Sequence, residues 1–337
     1  MKLGSLCTGI GGLDLAVEAH FGAELAWVSE IDPAASRVLD ARFNVPNLGD
    51  FRDVTPPAVD ILCGGFPCQP VSSAGKRAGT DDERWLFDDI CTLVGRMDAP
   101  PRVLVFENVA GLLSANDGHA MARVVHGLAA LGYVGSWRSV RAADAGACHR
   151  RERVFIVATH AVVASGEARD RGREPAQPVV GSGVVADADG ARAGWDDRLV
   201  SRAARRARWP GQHVHAAVDA RPDAPADTVC SPGHPQGCPG EAVQEPGTVE
   251  RSGRCDRVAW GDFGPAIERW EHIMGRAAPA PVDDRGRLSP MFVEWMMGYD
   301  AGWCTDVLDR RTDALRCLGN AVVPQQATLA LEMMEVA

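Results

Sequence analysis

Apolar segments of two kinds alternate along the first 160 residues. Short runs such as KLGSLC, ELAWVSEID, DILC and RVLVFEN have the length and apolar content of buried strands, and WRSVRAA and RVFIVAT form a later pair. Between the early runs, LDLAVEAHF has its apolar residues at helical spacing, and Pro33 opens a second helix that extends to about Phe43. This alternation predicts an α/β fold, a parallel sheet with helices on both faces.

The composition of the sequence changes after residue 160. From about residue 161 to 262 large apolar residues are few, and ADADGARAG and APADTVCSPG are of low complexity. Helical spacing returns with FGPAIERWEHIM, where Phe263 and Trp270 share one side, and Pro324 opens a C-terminal helix. We therefore predict a large domain over residues 1–160, a smaller, partly low-complexity domain over 161–310, and a segment 311–337 that returns to the first domain.

Composition narrows the class of protein. The chain has 337 residues, 46% of them hydrophobic, so it can bury a large core. No apolar run reaches the ~18 residues of a membrane span, and the N-terminus has no signal-peptide pattern, so we expect a cytoplasmic protein without a membrane partner. The ten cysteines show no disulfide-framework spacing. A net charge of −10 by itself argues weakly against a nucleic-acid partner.

A glycine-rich turn follows the first strand. Gly9, Gly11 and Gly12 precede a helix, so the backbone can approach a ligand at the helix N-terminus. Glu30, at the end of the second strand, can accept hydrogen bonds from ribose hydroxyls, and Asp50 is placed to bind an adenine amino group. Either acid can equally be a helix cap. The absence of GxGxxG and GxxxxGK[ST] motifs disfavours dinucleotides and triphosphates.

A cysteine stands between two prolines after the third strand, in DILCGGFPCQP. Gly64 and Gly65 are expected to end that strand, and Pro67 and Pro70 stiffen the loop that contains Cys68. In open α/β sheets ligands bind beyond the carboxyl ends of the strands. Cys68 is thus either a nucleophile or one of the many cysteines that are simply buried.

Seven sequence blocks together resemble one enzyme family. LCTGIGGLDLA, SEID, GDF, GGFPCQPVSSAG, FENVAGLL, CHRRERVFIVA and LGNAVVP occur in the order found in cytosine-C5 DNA methyltransferases of bacteria and phages. The resemblance covers the first 160 residues and the C-terminal end. It implies a Rossmann-like methyltransferase sheet that binds S-adenosylmethionine, plus a smaller, irregular target-recognition domain. It also implies methyl transfer to C5 of a cytosine flipped out of duplex DNA.

The resemblance assigns roles to individual residues. Cys68 would add to C6 of the base, Glu107 would act as the acid at N3, and Arg151 and Arg153 would contact the base carbonyl and support the loop. His149 stands where the family usually has glutamine. Ser72 and Gln69 would contact the flipped nucleotide. The residues implied for cofactor binding are Cys7, Gly9, Ile10, Gly11, Gly12, Glu30, Ile31, Asp50, Phe51, Pro67, Leu86, Asn320 and Val322.

Basic residues recur in RLVSRAARRARW within the predicted recognition domain. At three- and four-residue spacings, Arg205, Arg206 and their neighbours would form a basic stripe on a helix. Such a stripe either grips the DNA backbone or is a solvated face. Farther on, four residues could in principle bind zinc: Cys230, His234, Cys238 and Cys255. Their C-x3-H-x3-C spacing with one more cysteine is not a usual zinc pattern, so we expect no metal.

The interpretation leaves two other function classes open. One is a cytosine-C5 methyltransferase that acts on transfer RNA with the same fold. The other is a DNA-binding relative without catalytic activity, which the presence of both Cys68 and Glu107 argues against. For the methyltransferase we expect a monomer, with duplex DNA as partner and a cognate restriction endonuclease as a further one.

Overall fold

A mixed six-stranded sheet forms the centre of the protein. The computed structural model describes residues 1–67, 85–161 and 258–334. The sheet has the order β2-β1-β3-β4-β6-β5. The strands are β1 (Lys2–Leu6), β2 (Glu24–Ser29), β3 (Ile61–Gly65), β4 (Val103–Val109), β5 (Tyr133–Arg141) and β6 (Glu152–His160).

The sheet is parallel except at one strand. β1 pairs in parallel with β2 and β3, and β3 with β4, whereas β6 is antiparallel to both β4 and β5. The expectation of a parallel sheet is therefore wrong for β6. Only residues 142–151 separate β5 from β6, which is enough for a hairpin but short of the dozen or more residues that a parallel crossover needs.

Helices cover both faces of the sheet, as the alternating sequence pattern predicted. In β4, Val103 and Val105 enter one core, while Leu104 and Phe106 enter the other. The helices are α1 (Gly12–Phe21), α2 (Pro33–Arg42), α3 (Phe87–Arg96), α4 (His119–Ala130), α5 (Gly264–Met274), α6 (Pro290–Met296), α7 (Arg311–Asn320) and α8 (Pro324–Met333). Helices α3 and α4 contribute to the second core, and α1, α2 and α5 to α8 contribute to the first.

The C-terminal part of the chain packs on the N-terminal part. Trp270, Trp295 and Tyr299 are buried in the same core as Leu3 of β1. Of the predicted recognition domain, residues 161–310, the structure describes residue 161 and residues 258–310, and several of the latter lie in this core. The boundary of that domain stays a prediction.

A local sequence signal explains the start of α2, whereas two expectations about other helices are wrong. Asp32 caps α2 through its Oδ1, which accepts hydrogen bonds from the backbone N–H groups of Ala34 and Ala35 at 3.0 and 2.9 Å. Helix α7 extends over part of LGNAVVP, which we expected to be a loop. Phe263 lies outside the core with 60% of its surface exposed, because α5 begins only at Gly264.

β3 extends through both Gly64 and Gly65 and ends at Gly65, whereas we expected the two glycines to stop the strand at Cys63. Both residues pair with neighbouring strands, Gly64 with Leu6 and Gly65 with Glu107. A Cβ atom on Gly64 would lie 2.7 Å from the carbonyl oxygen of Leu6. Glycine is therefore needed for close packing between strands and not for a turn. None of the described helices is long and apolar enough to cross a membrane.

Candidate functional site

A pocket opens at the carboxyl ends of β1, β3 and β4. Its wall is built from four separate pieces of the chain: the glycine-rich turn with the start of α1, the end of β3, the end of β4, and the loop between α7 and α8. The lining residues are Ser5, Cys7, Thr8, Gly9, Ile10, Gly12, Leu13, Asp14, Gly64, Gly65, Glu107, Asn320, Ala321 and Val322.

The glycine-rich turn has backbone angles that favour glycine. Gly9 and Gly11 have φ angles of 61° and 87°. A Cβ atom on Gly12 would lie 2.1 Å from the Tyr299 Oη atom and 2.3 Å from the carbonyl oxygen of Val322. Gly12 therefore allows the start of α1 to contact the loop between α7 and α8, which closes one side of the pocket.

Glu30 lies at the rim of this turn. Its Oε2 accepts a hydrogen bond from the backbone N–H of Gly9 at 2.7 Å, and its Oε1 accepts one from Asp32 at 2.8 Å. Burial raises the pKa of Glu30, although these N–H groups act to lower it. Each carboxylate oxygen keeps a further lone pair for a ligand. The next side chain, Ile31, is 68% exposed and offers an apolar surface beside the carboxylate.

Three predicted cofactor residues are grouped on the other side of the turn. Burial raises the pKa of Cys7 to about 12, and the nearby carboxylates of Glu30 and Asp50 add to this effect. The Asp50 carboxylate pairs with Arg52, whose hydrogen bond lowers the pKa of Asp50. Phe51 is buried in the second core. Cys7 thus lies between two acids of the predicted ribose and adenine site.

The pocket contains only part of the predicted cofactor set. The lining includes Cys7, Gly9, Ile10, Gly12, Asn320 and Val322. The other described members, Gly11, Glu30, Ile31, Asp50, Phe51, Pro67 and Leu86, lie outside the pocket lining; Leu86 packs against the second core.

Glu107, which lines the pocket, forms an ion pair with Arg153. The strand register pairs Glu107 with Gly65 on β3 and with Phe155 on β6. The Nε atom of Arg153 lies 2.8 Å from Oε1 of Glu107. Burial raises the pKa of Glu107, although the positive charges of Arg153 and Arg151 lower it. The arrangement provides a carboxyl group that can hold a proton and is fixed in direction.

Arg151, the residue before β6, contacts the C-terminal end of α7 and the loop that follows it. Its Nη1 and Nη2 atoms donate to the carbonyl oxygens of Gly319 and Ala321 at 2.7 and 2.8 Å. Burial lowers the pKa of Arg151 to about 10, so the guanidinium remains charged near neutral pH. Both contacts support the end of α7 and the loop after it. The predicted contact with the base carbonyl stays a prediction.

His149 connects the hairpin between β5 and β6 to α6. Its Nδ1 accepts a hydrogen bond from the backbone N–H of Arg151 at 3.4 Å, and its Nε2 lies 3.1 Å from the carbonyl oxygen of Met296. Burial lowers the pKa of His149. These contacts fit a neutral imidazole that carries its proton on Nε2.

Several predicted residues fall outside the described part of the chain: Cys68, Gln69, Ser72, Arg205, Arg206, Cys230, His234, Cys238 and Cys255. Pro67, the residue before Cys68, is the last one described in its segment, two positions beyond the end of β3. Within residues 1–67, 85–161 and 258–334, no group of His, Cys, Asp and Glu residues is arranged to hold a metal ion.

Comparison with known proteins decides the family. The C-5 cytosine-specific DNA methylase family matches residues 1–221 of the chain. The chain belongs to this family. Its membership confirms the resemblance inferred from the sequence blocks.

Two curated relatives are type II methyltransferases. M.NgoMIV of Neisseria gonorrhoeae is 38% identical over 160 residues, which cover 45% of the chain and 50% of that protein. M.HhaI of Haemophilus parahaemolyticus is 36% identical over 156 residues, which cover 45% of the chain and 48% of that protein. The chain spans about half the length of the curated relatives it matches.

A solved structure shares the fold of the chain over a greater length. The Entamoeba histolytica methyltransferase EhMeth has a TM-score of 0.56 with the chain, at 12% identity. The match covers 99% of the chain and 97% of EhMeth. At that identity the likeness concerns the fold alone.

The pocket also contains residues that the sequence motifs did not indicate. Asp14 and Ser5 line it, and Tyr299 closes its wall behind Gly12. The sequence offered one signal for Asp14: it is a charged residue that directly follows the apolar Leu13 at the start of α1. Tyr299 offered no such signal, since it follows Gly298 in a segment without a motif.

Proposed function

We propose that this family member transfers a methyl group from S-adenosylmethionine to C5 of a cytosine in duplex DNA. The observation that carries the proposal is a single pocket. It joins the glycine-rich turn, Glu107 and the Asn320–Val322 loop at the carboxyl edge of the sheet. The segment that leads to Cys68 leaves β3 at the same edge. Family membership supports the class of reaction.

The residues around the turn fit the proposed methyl donor. Glu30 retains lone pairs for two ribose hydroxyls, and the exposed side chain of Ile31 suits an adenine face. The positive-φ glycines let the backbone approach the amino-acid part of the donor closely. When bound, S-adenosylmethionine supplies a methyl group made electrophilic by the positive sulfur atom.

Cytosine needs activation, because its C5 atom is a poor nucleophile. In the proposed mechanism the Cys68 thiolate adds to C6 while N3 takes a proton from Glu107, so that C5 gains the electron density to attack the methyl group. The C5 hydrogen then leaves as a proton, the thiolate is expelled, and N3 returns its proton to Glu107. The raised pKa of Glu107, caused chiefly by burial, favours the protonated form that the first step needs.

Access to the target atom requires the base to leave the duplex. We assign Ser72 and Gln69 to contacts with the flipped nucleotide and Arg205 and Arg206 to the DNA backbone. We assign recognition of the DNA sequence to residues 162–257, between the second and third described parts of the chain. A monomer that works beside a cognate restriction endonuclease fits the type II relatives.

The test uses a duplex with 5-fluorocytosine at the target position. Fluorine does not leave as a cation, so the base should accept the methyl group and then stay bonded to the protein in a denaturation-resistant adduct. Formation of this adduct should require S-adenosylmethionine. Peptide mass mapping should place it at Cys68, and Cys68→Ser should abolish it because a serine hydroxyl is scarcely ionised near neutral pH.

The matched control is Cys91→Ser, a partly buried thiol of α3 that is remote from the pocket lining. This variant should form the adduct normally. Attachment at any other residue, or efficient turnover of the fluorinated base, contradicts the proposal. A parallel assay with transfer RNA shows whether RNA is the substrate instead.

A further inference from the structure

Asp14 is a buried carboxylate in the pocket wall that the proposed mechanism does not use. It lies in the first turn of α1, is 1% exposed and is one of the lining residues. Its Oδ1 lies 3.5 Å from the Cys63 thiol, which donates to it. Its Oδ2 is buried and has no hydrogen-bond partner of good geometry in the described part of the chain, although the Ser5 hydroxyl and the backbone N–H of Asp14 itself lie near enough to the carboxylate to lower its pKa.

The charge of Asp14 also lacks a partner. Two carboxylates, those of Asp14 and Glu107, line the pocket, and the lining contains no lysine, arginine or histidine. Glu107 is paired with Arg153 from behind, whereas the ion pairs among the described residues do not include Asp14. Burying an unpaired charge is costly, so the site favours a ligand that carries a positive hydrogen-bond donor.

We propose that Asp14 accepts a hydrogen bond from the α-ammonium group of S-adenosylmethionine. This assignment rests on the proposed function. The donor molecule carries two positive groups, and of these only the ammonium has N–H bonds to give to Oδ2. Its α-carboxylate suits the N-terminus of α1, where backbone N–H groups favour an anion. Since carboxylate and ammonium share one carbon atom, the ammonium then lies beside the first turn of the helix.

The inference makes Asp14 a specificity determinant. It selects ligands that have a complete amino-acid part over those that have only the adenosine part. S-adenosylhomocysteine keeps the ammonium but has no sulfonium charge, and 5′-methylthioadenosine has neither group. These three molecules therefore separate the two positive groups from the rest of the ligand.

The experiment is calorimetric titration of the full chain with S-adenosylmethionine, S-adenosylhomocysteine and 5′-methylthioadenosine. Asp14→Asn should weaken binding of the first two compounds roughly 10- to 100-fold, the range for losing a hydrogen bond to a charged group, and leave the third unchanged. Glu18→Gln is the matched control. Glu18 is also on α1, with a pKa raised by burial, but it does not line the pocket. It should leave all three affinities unchanged.

Each possible result of the titration has a different meaning. Weaker binding of S-adenosylmethionine alone would assign Asp14 to the sulfonium and overturn the proposal. An equal loss for all three ligands would mean altered pocket shape, and no loss would mean no role; both overturn it. If the wild-type chain binds S-adenosylmethionine and Asp14→Asn binds it equally well, only this inference fails. If the wild-type chain does not bind it, the proposed function fails as well.

A measurement on the wild-type chain decides the matter if Asp14→Asn does not fold. Burial raises the pKa of Asp14 to about 6, while the neighbouring Ser5 and Cys63 side chains act to lower it. Below pH 6 the carboxyl group is increasingly neutral and loses its charge-assisted hydrogen bond. The affinity for S-adenosylhomocysteine relative to 5′-methylthioadenosine should therefore be constant near pH 7 and fall, by up to about tenfold per pH unit, below 6.

Other titratable groups around Asp14 do not produce this ratio. Cys63 of β3 and Tyr299 face Asp14, and their pKa values are raised well above the ordinary range, chiefly by burial, so neither titrates between pH 5 and 7. Glu18 and Glu30 also have pKa values raised by burial. In the proposed function Glu30 contacts the ribose, which both ligands contain, so its titration does not change the ratio. The same pH series with Glu18→Gln measures the contribution of Glu18. A ratio that stays constant from pH 5 to 7 overturns the proposal.

Discussion

Two opposing effects act on Glu107. Burial of the side chain raises its pKa, while the Arg153 guanidinium, with Nε 2.8 Å from Oε1, lowers it, and burial is the larger effect. Arg153 thus limits the rise in the pKa and also fixes the orientation of the carboxyl group. An acid held in this way can give a proton to a ring nitrogen at a defined position.

Glu30 provides a test at the level of one side chain. Glu30→Ala should weaken binding of S-adenosylhomocysteine and of 5′-methylthioadenosine alike, since both contain the ribose. The loss should be roughly 1.5–3 kcal/mol, the range for hydrogen bonds to a charged acceptor. Calorimetry with the two ligands measures it.

The control for this prediction is Glu24→Ala. Glu24 is an exposed carboxylate at the start of the same strand, β2, and its partner is Lys2. This variant should bind both ligands as the wild type does. Unchanged affinity of the Glu30 variant would rule out the ribose assignment.

At the level of elements, the loop between α7 and α8 is held by contacts from distant parts of the chain. Arg151 donates to Gly319 and Ala321, and the Tyr299 hydroxyl donates to the carbonyl oxygen of Val322 at 2.8 Å. Asn320, the last residue of α7, and Val322 of this loop line the pocket. The shape of the pocket therefore depends on the hydrogen bonds that Arg151 and Tyr299 make in this region.

Arg151→Met tests this connection, because methionine fills similar space but cannot bond the two carbonyls. We expect the free energy of unfolding to fall by about 1.5 kcal/mol, since the buried carbonyl of Ala321 loses a charged donor while the exposed carbonyl of Gly319 can bond to water instead. The affinity for S-adenosylhomocysteine should fall as well. Urea denaturation and calorimetry measure the two effects.

Arg150→Met is the matched control for this substitution. Arg150 is the preceding residue and is exposed, so both stability and affinity should stay within about 0.5 kcal/mol of the wild type. Equal behaviour of the two variants would mean that Arg151 does not hold the loop.

At the level of the whole molecule, the two ends of the chain form one body. Helix α8 packs into the same core as β1 and α1, and Gln326 of α8 donates through its Nε2 to the carbonyl oxygens of Val140 and Arg151. The described residues stop at 161 and resume at 258, and residues from both sides of that gap contribute to the body. We therefore expect that replacing the intervening segment would leave the described pocket residues in place.

A chimera tests the proposed division of labour. Replacing residues 162–257 with the corresponding segment of a family member of different specificity should change which DNA sequence is methylated. Affinity for S-adenosylhomocysteine should not change, because all pocket residues remain. Sequencing of 5-methylcytosine in DNA from expressing cells reads the outcome. An active chimera that kept the original recognition site would contradict the assignment.

The sequence by itself determined those features that depend on near neighbours. Alternating strand and helix patterns predicted the α/β class and helices on both faces. The glycine-rich turn was expected before α1, and Glu107 was expected at the end of its strand. These signals are local: a strand alternates with a period of two and a helix repeats within one or two turns, so each is readable in a short window. The order of the motifs was enough to indicate the family.

Only the tertiary structure decided which distant pieces meet. It inserted β6 in reverse between β4 and β5, and it brought Val322 against Gly12. It also turned Asp14 into the pocket and left one of its oxygens without a partner. None of these features has a local period, because each depends on packing between segments far apart in sequence. The pKa values of Asp14 and Glu107 follow the same rule, since burial sets them and burial exists only once the chain is folded.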